Sequence, residues 1–422
     1  MNKFCIVLIV FSLICSCCGI ENEIKRTTDD TGVVIATPYL WKTSLHRKEP
    51  MSNSFIIFSI IYNDNVLVPT TNGEESRALS LINSKDGKIL WNWDDLYEDH
   101  SKYTTVSSHY QYQNLLTYQC GGRSYCINMD TGSTHWKIRR DRSFDHRIHP
   151  FGQHYFICGP DTIDENGDEF ENYTFIAFKA AIQTGEISET LSANFSYECP
   201  ECVRWNNFIN QVPNKNNLLL VSYSEFLEDW IAQPYFGLYD YNLKEWIWDK
   251  VLITPPSRYS IIDWPSIIEN NKIYAVVGNS IVCHDLATGE QFWKRDFNGD
   301  FLFSGFIVED GKVIANCEDC YAYGLDAETG NILWSVRTAG TSTRLSYLNG
   351  IVYFVGGSVR RLFAIEADTG KIVWKIDPHL LGEDYDAGFK QNAVYVLPAK
   401  GGQPAKVIAL SDMYAYCFEA YR

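Results

Sequence analysis

Features that would identify several classes of protein are missing from this sequence. Lysine and arginine nowhere form a cluster of four or more, and 52 acidic residues against 36 basic ones give a formal net charge of −16. A nucleic-acid partner is therefore not expected, and the acidity mainly indicates solubility. Glycine-rich phosphate loops, nucleophile elbows and CxxCH haem motifs are also absent. These absences argue against the nucleotide-binding, hydrolase and haem-dependent chemistries that need such motifs.

The N-terminus has the layout of an export signal. Lys3 precedes an apolar run, Phe4–Ile14, that is too short to span a bilayer. The run ends in Ile14-Cys15-Ser16-Cys17, which is the pattern at which bacterial lipoproteins are cleaved and acylated. We predict a signal peptide over residues 1–16 and lipidation of Cys17. The alternative is a plain secretory signal with incidental cysteines.

The segment after the predicted cleavage site is polar. Residues 17–37 are predicted to tether the lipid to a folded body. Residue 18 is cysteine and not the aspartate that marks retention in an inner membrane. Two or three acyl chains hold a soluble body stably on a membrane. We therefore expect a lipid-anchored protein of the outer membrane, on its periplasmic side or at the cell surface.

One turn sequence recurs along the chain. In Leu325–Trp334 (LDAETGNILW) an apolar run ends in aspartate, Thr-Gly turns the chain, and a second apolar run ends in tryptophan. Ile365–Trp374 and Asp285–Trp293 repeat it, and Asn128–Trp136 is a looser copy. Glycine supplies positive φ, and Asp and Thr side chains can bond the backbone of the turn. Each copy therefore predicts a β-hairpin.

Three further copies are degraded. Ser84–Trp91 has lost the threonine, Tyr241–Trp248 carries Lys244 in the glycine position, and Gln183-Thr184-Gly185 lacks the tryptophan. Tryptophans 248, 293, 334 and 374 are separated by 45, 41 and 40 residues. A period near forty with several strands per unit predicts propeller blades, which cover each other's apolar faces in a ring.

The pattern resembles the PQQ-like (pyrroloquinoline-quinone-like) repeat, whose unit is an apolar strand followed by ALDAxTGxxxW. The resemblance covers roughly residues 38–412 and implies an all-β propeller. We expect eight blades of four antiparallel strands over residues 38–422, with seven blades as the alternative. Pro38–Leu45 resembles the outermost strand of a blade and is expected to close the last one. The tail, Asp412–Arg422, is its rival for that place.

The repeat tryptophans are expected to wedge between neighbouring blades, where a large flat ring fills space and its N–H finds a carbonyl partner. They are Trp41, Trp91, Trp136, Trp248, Trp293, Trp334 and Trp374. A small residue stands six positions before the turn glycine, as at Cys126, Cys283 and Ala364. Cys126 and Cys283 are therefore predicted to be small core residues rather than ligands.

Three pairs of cysteines fall on one face of the predicted ring. They are Cys120 with Cys126, Cys199 with Cys202, and Cys317 with Cys320. The cysteines of an exported protein can be oxidised, so a local disulfide is expected within each pair. Free thiols, or a zinc site made from two CxxC pairs, are the alternatives.

Two clusters between residues 146 and 171 contain side chains that can bind a metal. His146, His149 and His154 lie close together in sequence, and six carboxylates lie within Asp161–Glu171. The spacing of an EF-hand is absent. We predict solvated imidazoles and an acidic surface loop, and no metal site.

The PQQ-like family includes quinoprotein dehydrogenases and a propeller lipoprotein of the outer-membrane β-barrel assembly machinery. The dehydrogenases hold quinone and calcium over the ring centre, and several have a ring of two adjacent cysteines there. The only adjacent pair here is Cys17-Cys18, at the predicted lipid anchor. No catalytic, cofactor or metal residue is carried over, and neither PQQ nor calcium is expected.

The resemblance favours a monomeric, non-catalytic scaffold that binds a protein partner, with outer-membrane protein assembly as the suggested process. A quinone-dependent dehydrogenase and a surface binder of carbohydrate or protein are the alternatives. Asp161–Glu171 and Glu225–Pro234 lie between the second and third strands of adjacent blades and should project side by side. Phe226, Trp230 and Ile231 are predicted to bind the partner, because aromatic anchors dominate such interfaces. Packing of this insertion onto its own blade is the alternative.

Overall fold

The described part of the chain is a closed ring of β-sheets. The structure, a computed structural model, describes residues 24–46, 60–71, 77–98, 108–120, 123–139, 147–163, 169–191, 204–226, 231–262, 264–301, 305–340, 343–357, 359–384 and 387–421. These residues form eight blades, each with four consecutive or ring-closing antiparallel strands. The predicted all-β, eight-bladed propeller is confirmed, and the seven-bladed alternative is excluded.

The strands follow the chain from the N-terminus into the first four blades. The N-terminal strands are β1 (Thr27–Thr28), β2 (Val34–Ala36) and β3 (Trp41–Ser44). Blade 1 contains β4 (Ile60–Tyr62), β5 (Asn65–Thr71), β6 (Arg77–Asn83) and β7 (Ile89–Trp93). Blade 2 contains β8 (Ser108–Tyr112), β9 (Leu115–Cys120), β10 (Arg123–Asn128) and β11 (Ser133–Arg139). Blade 3 contains β12 (Arg147–Phe151), β13 (His154–Ile163), β14 (Glu169–Ala181) and β15 (Ile187–Thr190). Blade 4 contains β16 (Arg204–Gln211), β17 (Leu218–Phe226), β18 (Ala232–Asp240) and β19 (Glu245–Leu252).

The second half of the ring is more regular. Blade 5 contains β20 (Ile267–Glu269), β21 (Lys272–Val277), β22 (Ser280–Asp285) and β23 (Gln291–Asp296). Blade 6 contains β24 (Phe306–Glu309), β25 (Lys312–Asn316), β26 (Tyr321–Asp326) and β27 (Ile332–Arg337). Blade 7 contains β28 (Ser346–Leu348), β29 (Ile351–Gly356), β30 (Arg361–Glu366) and β31 (Ile372–Ile376), followed by a 3₁₀ turn, Pro378–Leu381. The last strands are β32 (Phe389–Leu397), β33 (Lys406–Ser411) and β34 (Tyr414–Glu419).

Blade 8 joins the two ends of the chain. Its strand order is β3-β34-β33-β32, with Trp41 opposite Cys417 and Ser44 opposite Tyr414. The N-terminal strand therefore closes the ring, as predicted. The tail does not compete with it, because β34 is the third strand of the same blade. Lys406–Ser411 (β33) is the second strand of this blade.

The segment before the closing strand is not simply a tether. β1 and β2 extend blade 7 to a six-stranded sheet, and β2 pairs in parallel with β31 at Val34 and Trp374. Val34 and Ala36 are buried, with 2% and 5% of their surface exposed. Val34 and Ala36 point to the same side of β2, as residues two apart in a strand do, and both pack against the propeller. The segment before the closing strand is therefore part of the folded body.

The apolar core lies between blades rather than inside any one of them. In one cluster Ile281 and Cys283 of blade 5 pack with Val313 and Leu325 of blade 6. Other clusters join blades 6 and 7, and blades 8 and 1, in the same way. Each blade thus depends on its neighbours for burial, which is why the ring must close.

Candidate functional site

The turn between the third and fourth strands has the geometry that its sequence requires. In blade 6, Asp326 Oδ1 accepts hydrogen bonds from Thr329 N and Thr329 Oγ1, both at 2.8 Å. Gly330 N donates to Asp326 O at 2.8 Å, and Gly330 has a φ of 68°. Side-chain and backbone bonds thus fix the turn, and glycine takes its left-handed position.

In six of the eight blades, this turn also lies under a tryptophan of the preceding blade. The ring of Trp293 in blade 5 lies over Gly330 of blade 6, where a Cβ would come within 2.6 Å of it. Trp334 lies in the same way over Gly370 of blade 7, where a Cβ would come within 2.7 Å. Glycine at this position is therefore required both by φ and by the close approach of the neighbouring ring.

The indole N–H of the same tryptophan bonds the residue three positions before that glycine. The hydrogen bonds run from Trp41 to Ser84 O (3.0 Å), Trp91 to Met129 O (3.0 Å), Trp136 to Ile182 O (2.9 Å), Trp248 to Leu286 O (3.3 Å), Trp293 to Ala327 O (3.1 Å) and Trp334 to Ala367 O (2.8 Å). We call each contact between neighbouring blades a seam. Six seams share one tryptophan–glycine arrangement, and it fills the space while satisfying a buried donor.

The small residues predicted beside the turns lie opposite the tryptophans. Cys126 pairs with Trp136, Cys283 with Trp293, and Ala364 with Trp374 across the third and fourth strands. Cys126 and Cys283 are fully buried free thiols. Burial raises the pKa of Cys126 to about 12 and that of Cys283 to about 11. Both are therefore neutral core residues and poor nucleophiles or ligands.

The seam between blades 3 and 4 is built differently. Glu189 stands where blade 3 would carry its tryptophan, and Lys244, with a φ of 59°, stands where blade 4 would carry its glycine. Lys244 Nζ forms an ion pair with Glu189, and the hydroxyl of Tyr241 donates to the same carboxylate. Tyr241 is the residue three positions before Lys244. In this seam, polar residues therefore stand at all three positions that define the other seams: the tryptophan, the turn glycine and the residue three positions before that glycine.

Electrostatics of this polar seam follow from its geometry. Burial alone would raise the pKa of the Glu189 carboxyl, but hydrogen bonds from Lys244 and Tyr241 outweigh it and hold that pKa below its usual range. Burial and the hydrogen bond to Glu189 raise the pKa of Tyr241. Lys179 Nζ also donates to Tyr241 Oη at 2.8 Å. Glu189 is therefore charged at neutral pH and faces two cations.

Two of the three predicted cysteine pairs lie in the described residues, and neither is joined. Cys120 lies opposite Arg123, and Cys126 lies three residues further along, opposite Thr117, so the two cannot meet across the hairpin. Cys317 and Cys320 are free thiols; Cys317 Sγ is 3.4 Å from Asp300 O. Cys199 and Cys202 lie outside the described residues, as does Cys17.

Burial governs the two histidines of blade 3 that the structure describes. His149 is buried, and burial together with the charge of Arg147 lowers its pKa to about 3. Burial also lowers the pKa of His154, and His146 lies outside the described residues. Within the described ranges no group of three or more His, Cys, Asp or Glu residues could hold a metal ion. His149 is therefore a neutral core residue and not a solvated imidazole.

Blades 3 and 4 carry hairpins that are longer than those of blades 5 to 7. β13 and β14 have 10 and 13 residues, and β17 and β18 have 9 each. The equivalent strands of blades 5 to 7 have five or six residues. Both long hairpins turn between the second and third strands, so they extend from the same face of adjacent blades. This is the arrangement that the two insertions predict.

The blade 4 hairpin is anchored next to its turn. Ala232 exchanges two backbone hydrogen bonds with Ser257, at 2.9 and 3.1 Å, and is fully buried. Lys250 Nζ lies 3.3 Å from the buried carboxylate of Glu225. Of the predicted binding residues, Ile231 is half-buried beside Ala232. Trp230 and the side chain of Phe226 lie outside the described part of the chain.

A cationic cluster that sequence reasoning did not find joins four parts of the ring. The guanidinium of Arg344 lies 4.6 Å from the ring centroid of Trp264, and the amide of Arg344 donates to Asn392 Oδ1 at 2.7 Å. Burial lowers the pKa of Arg344 to about 9. Burial and the charge of Arg344 lower the pKa of His109 to about 3. No local pattern signals this cluster, because ring closure alone brings its members together.

Comparisons with known proteins agree with this architecture. Residues 247–376 match the family model described as outer membrane protein assembly factor BamB. A curated relative, BamB of Shewanella oneidensis, is 27% identical over 164 residues, which span 36% of this chain and 37% of that protein. The chain thus spans little more than a third of the curated relative that it matches. Over the described part of the chain no helix is long and apolar enough to cross a membrane.

Solved structures share the fold at low sequence identity. BamB from Moraxella catarrhalis superposes with a TM-score of 0.60 and 10% identity, over 91% of this chain and 99% of that one. The quinohemoprotein alcohol dehydrogenase from Comamonas testosteroni superposes with a TM-score of 0.59 and 10% identity, over 90% of this chain and 76% of that one. Identity at this level shows the fold alone. The repeat, the eight blades and the match from the last strand of blade 4 to the end of blade 7 make this chain a β-propeller of PQQ-like repeats that is similar to BamB.

Proposed function

We propose that this protein is a non-catalytic, lipid-anchored scaffold that binds another protein and takes part in outer-membrane protein assembly. The sequence match of residues 247–376 to BamB supports the assembly role. The observation that carries the binding role is the pair of long hairpins on one face of blades 3 and 4. The likeness to a quinohemoprotein dehydrogenase extends to the fold only, so dehydrogenase activity is not part of this proposal.

The hairpins give a rigid platform for a partner. Their strands stay paired as far as Ile163 with Glu169 and Phe226 with Ala232, so little ordering is needed before binding. Preorganisation of this kind lowers the entropic cost of association. The blade 4 hairpin supplies the aromatic anchor Trp230, and the acidic blade 3 hairpin would steer a basic partner surface.

The test is capture of partners from detergent-solubilised membranes by the tagged protein and by Trp230→Ala. We expect the variant to capture at least ten-fold less of a partner protein than the wild type does, with an unchanged midpoint of thermal unfolding. The matched control is Leu243→Ala, because Leu243 is 67% exposed in the same blade but lies at the opposite end, in the turn between the third and fourth strands. Equal capture by the wild type and Trp230→Ala would refute the role of Trp230.

Membrane anchoring is tested separately. Cys17→Ala should leave the protein unprocessed or release it from the membrane fraction, because the thiol that carries the lipid is lost. A variant that remains processed and membrane-bound would contradict the lipoprotein assignment. Cys126→Ala serves as the matched control, since that thiol is buried in blade 2.

A further inference from the structure

A small recess lies at the seam where the ring closes, between blades 8 and 1. Its volume is about 270 Å³, close to the lower end of the roughly 300–1,000 Å³ of typical ligand pockets. Blade 8 contributes the turn between β32 and β33, and blade 1 contributes Asp64 together with Ser84 and Lys85. These turns join first to second and third to fourth strands, whereas the long hairpins of blades 3 and 4 join second to third. The recess therefore lies on the face of the ring opposite those hairpins.

Three lysines and one carboxylate line this lysine recess: Lys85, Lys400, Lys406 and Asp64. Lys400 forms an exposed ion pair with Asp64 at 2.6 Å. Lys85 and Lys406 form no ion pair with any residue in the described ranges. The recess thus carries a formal charge of +2, three cations less one anion, in a chain whose net charge is −16. A concave site with charge of one sign attracts ligands of the other.

Lys406 gives the recess a buried cation. It is 4% exposed, although lysine is rarely buried without a paired charge. Its Nζ donates to Ser84 O at 2.9 Å, and the same carbonyl accepts the indole N–H of Trp41. Glu419, opposite Lys406 across β33 and β34, lines a separate recess. One of the three N–H groups of the ammonium is therefore satisfied by the described residues, and an anion in the lysine recess would supply both the counter-charge and further acceptors.

The turn that carries Lys400 is rigid. Gly401 and Gly402 have φ values of 58° and 77°, and Lys400 and Gln403 exchange backbone hydrogen bonds of 3.2 and 3.0 Å across them. Two consecutive residues with positive φ are typical of the tight turns that fit twisted hairpins. The wall between the charges is apolar and is formed by Leu397, Pro398 and Pro404. The recess is thus preformed, with cations around an apolar wall.

We propose that the lysine recess binds a phosphate group carried on a small organic body. Ammonium groups act as point charges and can approach a tetrahedral phosphate from several sides. Arginine, whose planar fork matches a carboxylate, is absent from the described lining. The apolar wall accommodates the carbon skeleton next to the phosphate. A lipid headgroup and a soluble phosphate ester share this chemistry.

A ligand in this position would join two blades. Lys85 belongs to blade 1, and Lys400 and Lys406 belong to blade 8, so one phosphate contacting them would link the two blades at the point of ring closure. Binding to the folded state alone raises stability with ligand concentration. This inference goes beyond the protein-binding role proposed above, because it concerns a different ligand on the opposite face.

The test uses the full-length protein purified in a non-ionic detergent, with binding measured by titration calorimetry. The probes are glycerol 3-phosphate, dihexanoyl phosphatidylglycerol and, as a carboxylate of similar size, succinate. We expect saturable binding of a phosphate compound, a midpoint of thermal unfolding that rises with its concentration, and at least ten-fold weaker binding of succinate. Binding of glycerol 3-phosphate identifies a soluble ester as the source, and binding of the lipid alone identifies a headgroup. Raising the salt concentration should weaken the interaction.

Two variants locate the site. Lys406→Met removes the buried charge and keeps the length of the side chain, and Lys85→Gln removes a charge at the exposed rim. Each should weaken phosphate binding at least ten-fold. Lys406→Met should not lower the midpoint of thermal unfolding without ligand, because an apolar side chain replaces a poorly compensated buried cation. The matched control is Lys88→Gln, since Lys88 lies in the same turn as Lys85, pairs with Asp86 at 2.9 Å and does not line the recess.

Three results would overturn the proposal. They are no saturable binding of either phosphate compound at millimolar concentration, equal binding of succinate, and equal binding by Lys85→Gln and the wild type. The exposed position of Lys85 keeps the last result decisive even where Lys406→Met fails to fold. Partner capture by the hairpins is measured separately, so failure here would leave the proposed function standing.

Discussion

The polar seam between blades 3 and 4 should make this protein sensitive to acid and salt at one place in the ring. The perturbation is Glu189→Gln, which keeps the size of the side chain and removes its charge. The ion pair to Lys244 is partly exposed, with 31% and 40% of the two side chains accessible, so it contributes about 0.2–1 kcal/mol. The hydrogen bond from Tyr241 to a charged acceptor adds about 1.5 kcal/mol after allowance for that exposure. We expect a loss of about 2 kcal/mol at pH 7.

The pH dependence has a definite sign. The folded state holds the pKa of Glu189 below its usual value, so its stabilisation is complete above the unfolded pKa of roughly 4.3. It is lost as the pH falls through the folded pKa. The difference in unfolding free energy between wild type and Glu189→Gln should therefore be largest near neutral pH and shrink toward zero in acid. Raising the salt concentration should reduce the ion-pair share of it.

The assay is denaturant unfolding followed by tryptophan fluorescence, at several pH values and two salt concentrations. Glu186→Gln is the matched control, because Glu186 is an exposed carboxylate just before β15, three residues from Glu189. The control should change stability by less than about 0.5 kcal/mol at every pH. A Glu189→Gln difference that is near zero at pH 7, or that stays constant down to pH 3, would refute the reasoning.

Four further outcomes follow from the ring. Trp334→Ala should cost about 3–5 kcal/mol, whereas Leu333→Ala, at an exposed neighbour, should cost less than about 0.5 kcal/mol in the same unfolding assay. Gly330→Ala should cost about 2 kcal/mol or more, because the φ of 68° strains an L-residue and its Cβ would press on Trp293; a neutral result would contradict the seam geometry. Deleting residues 38–45 should open the ring, and size-exclusion chromatography should show an expanded or aggregated protein. Pyrroloquinoline quinone with calcium should neither bind stoichiometrically nor support dye-linked oxidation of alcohols or sugars, which absorption spectra and turnover assays would detect.

Local turn chemistry made the fold readable from the sequence. Asp326, Thr329 and Gly330 form their turn with bonds that span at most four residues, so the motif specifies the hairpin wherever it occurs. The spacing of the motif along the chain predicted the blades. The similarity of Trp41 to the other repeat tryptophans predicted that its strand closes the ring. The small residues opposite the tryptophans were readable for the same reason, because their positions relative to the turn are fixed.

Strand register, and the order of the strands near the chain ends, were harder to predict from the sequence. The cysteines 120 and 126 flank one turn in sequence, but pairing brings Arg123 opposite Cys120. The tail became the third strand of blade 8, and Val34 of the predicted tether became part of the core. An alternating strand pattern does not show which strand will be its neighbour. Two apolar segments near the termini could each fill the same edge position, and only closure of the ring decides between them.

Only the tertiary structure brought distant departures from the repeat together. The sequence showed a missing tryptophan at Glu189 and a missing glycine at Lys244 as two separate irregularities, 55 residues apart. The ring places them in one seam with Tyr241, where they compensate each other. Hydrogen bonds within a turn join residues that are close in sequence, so they could be predicted. Contacts between blades depend on closure of the whole ring, so they could not be predicted.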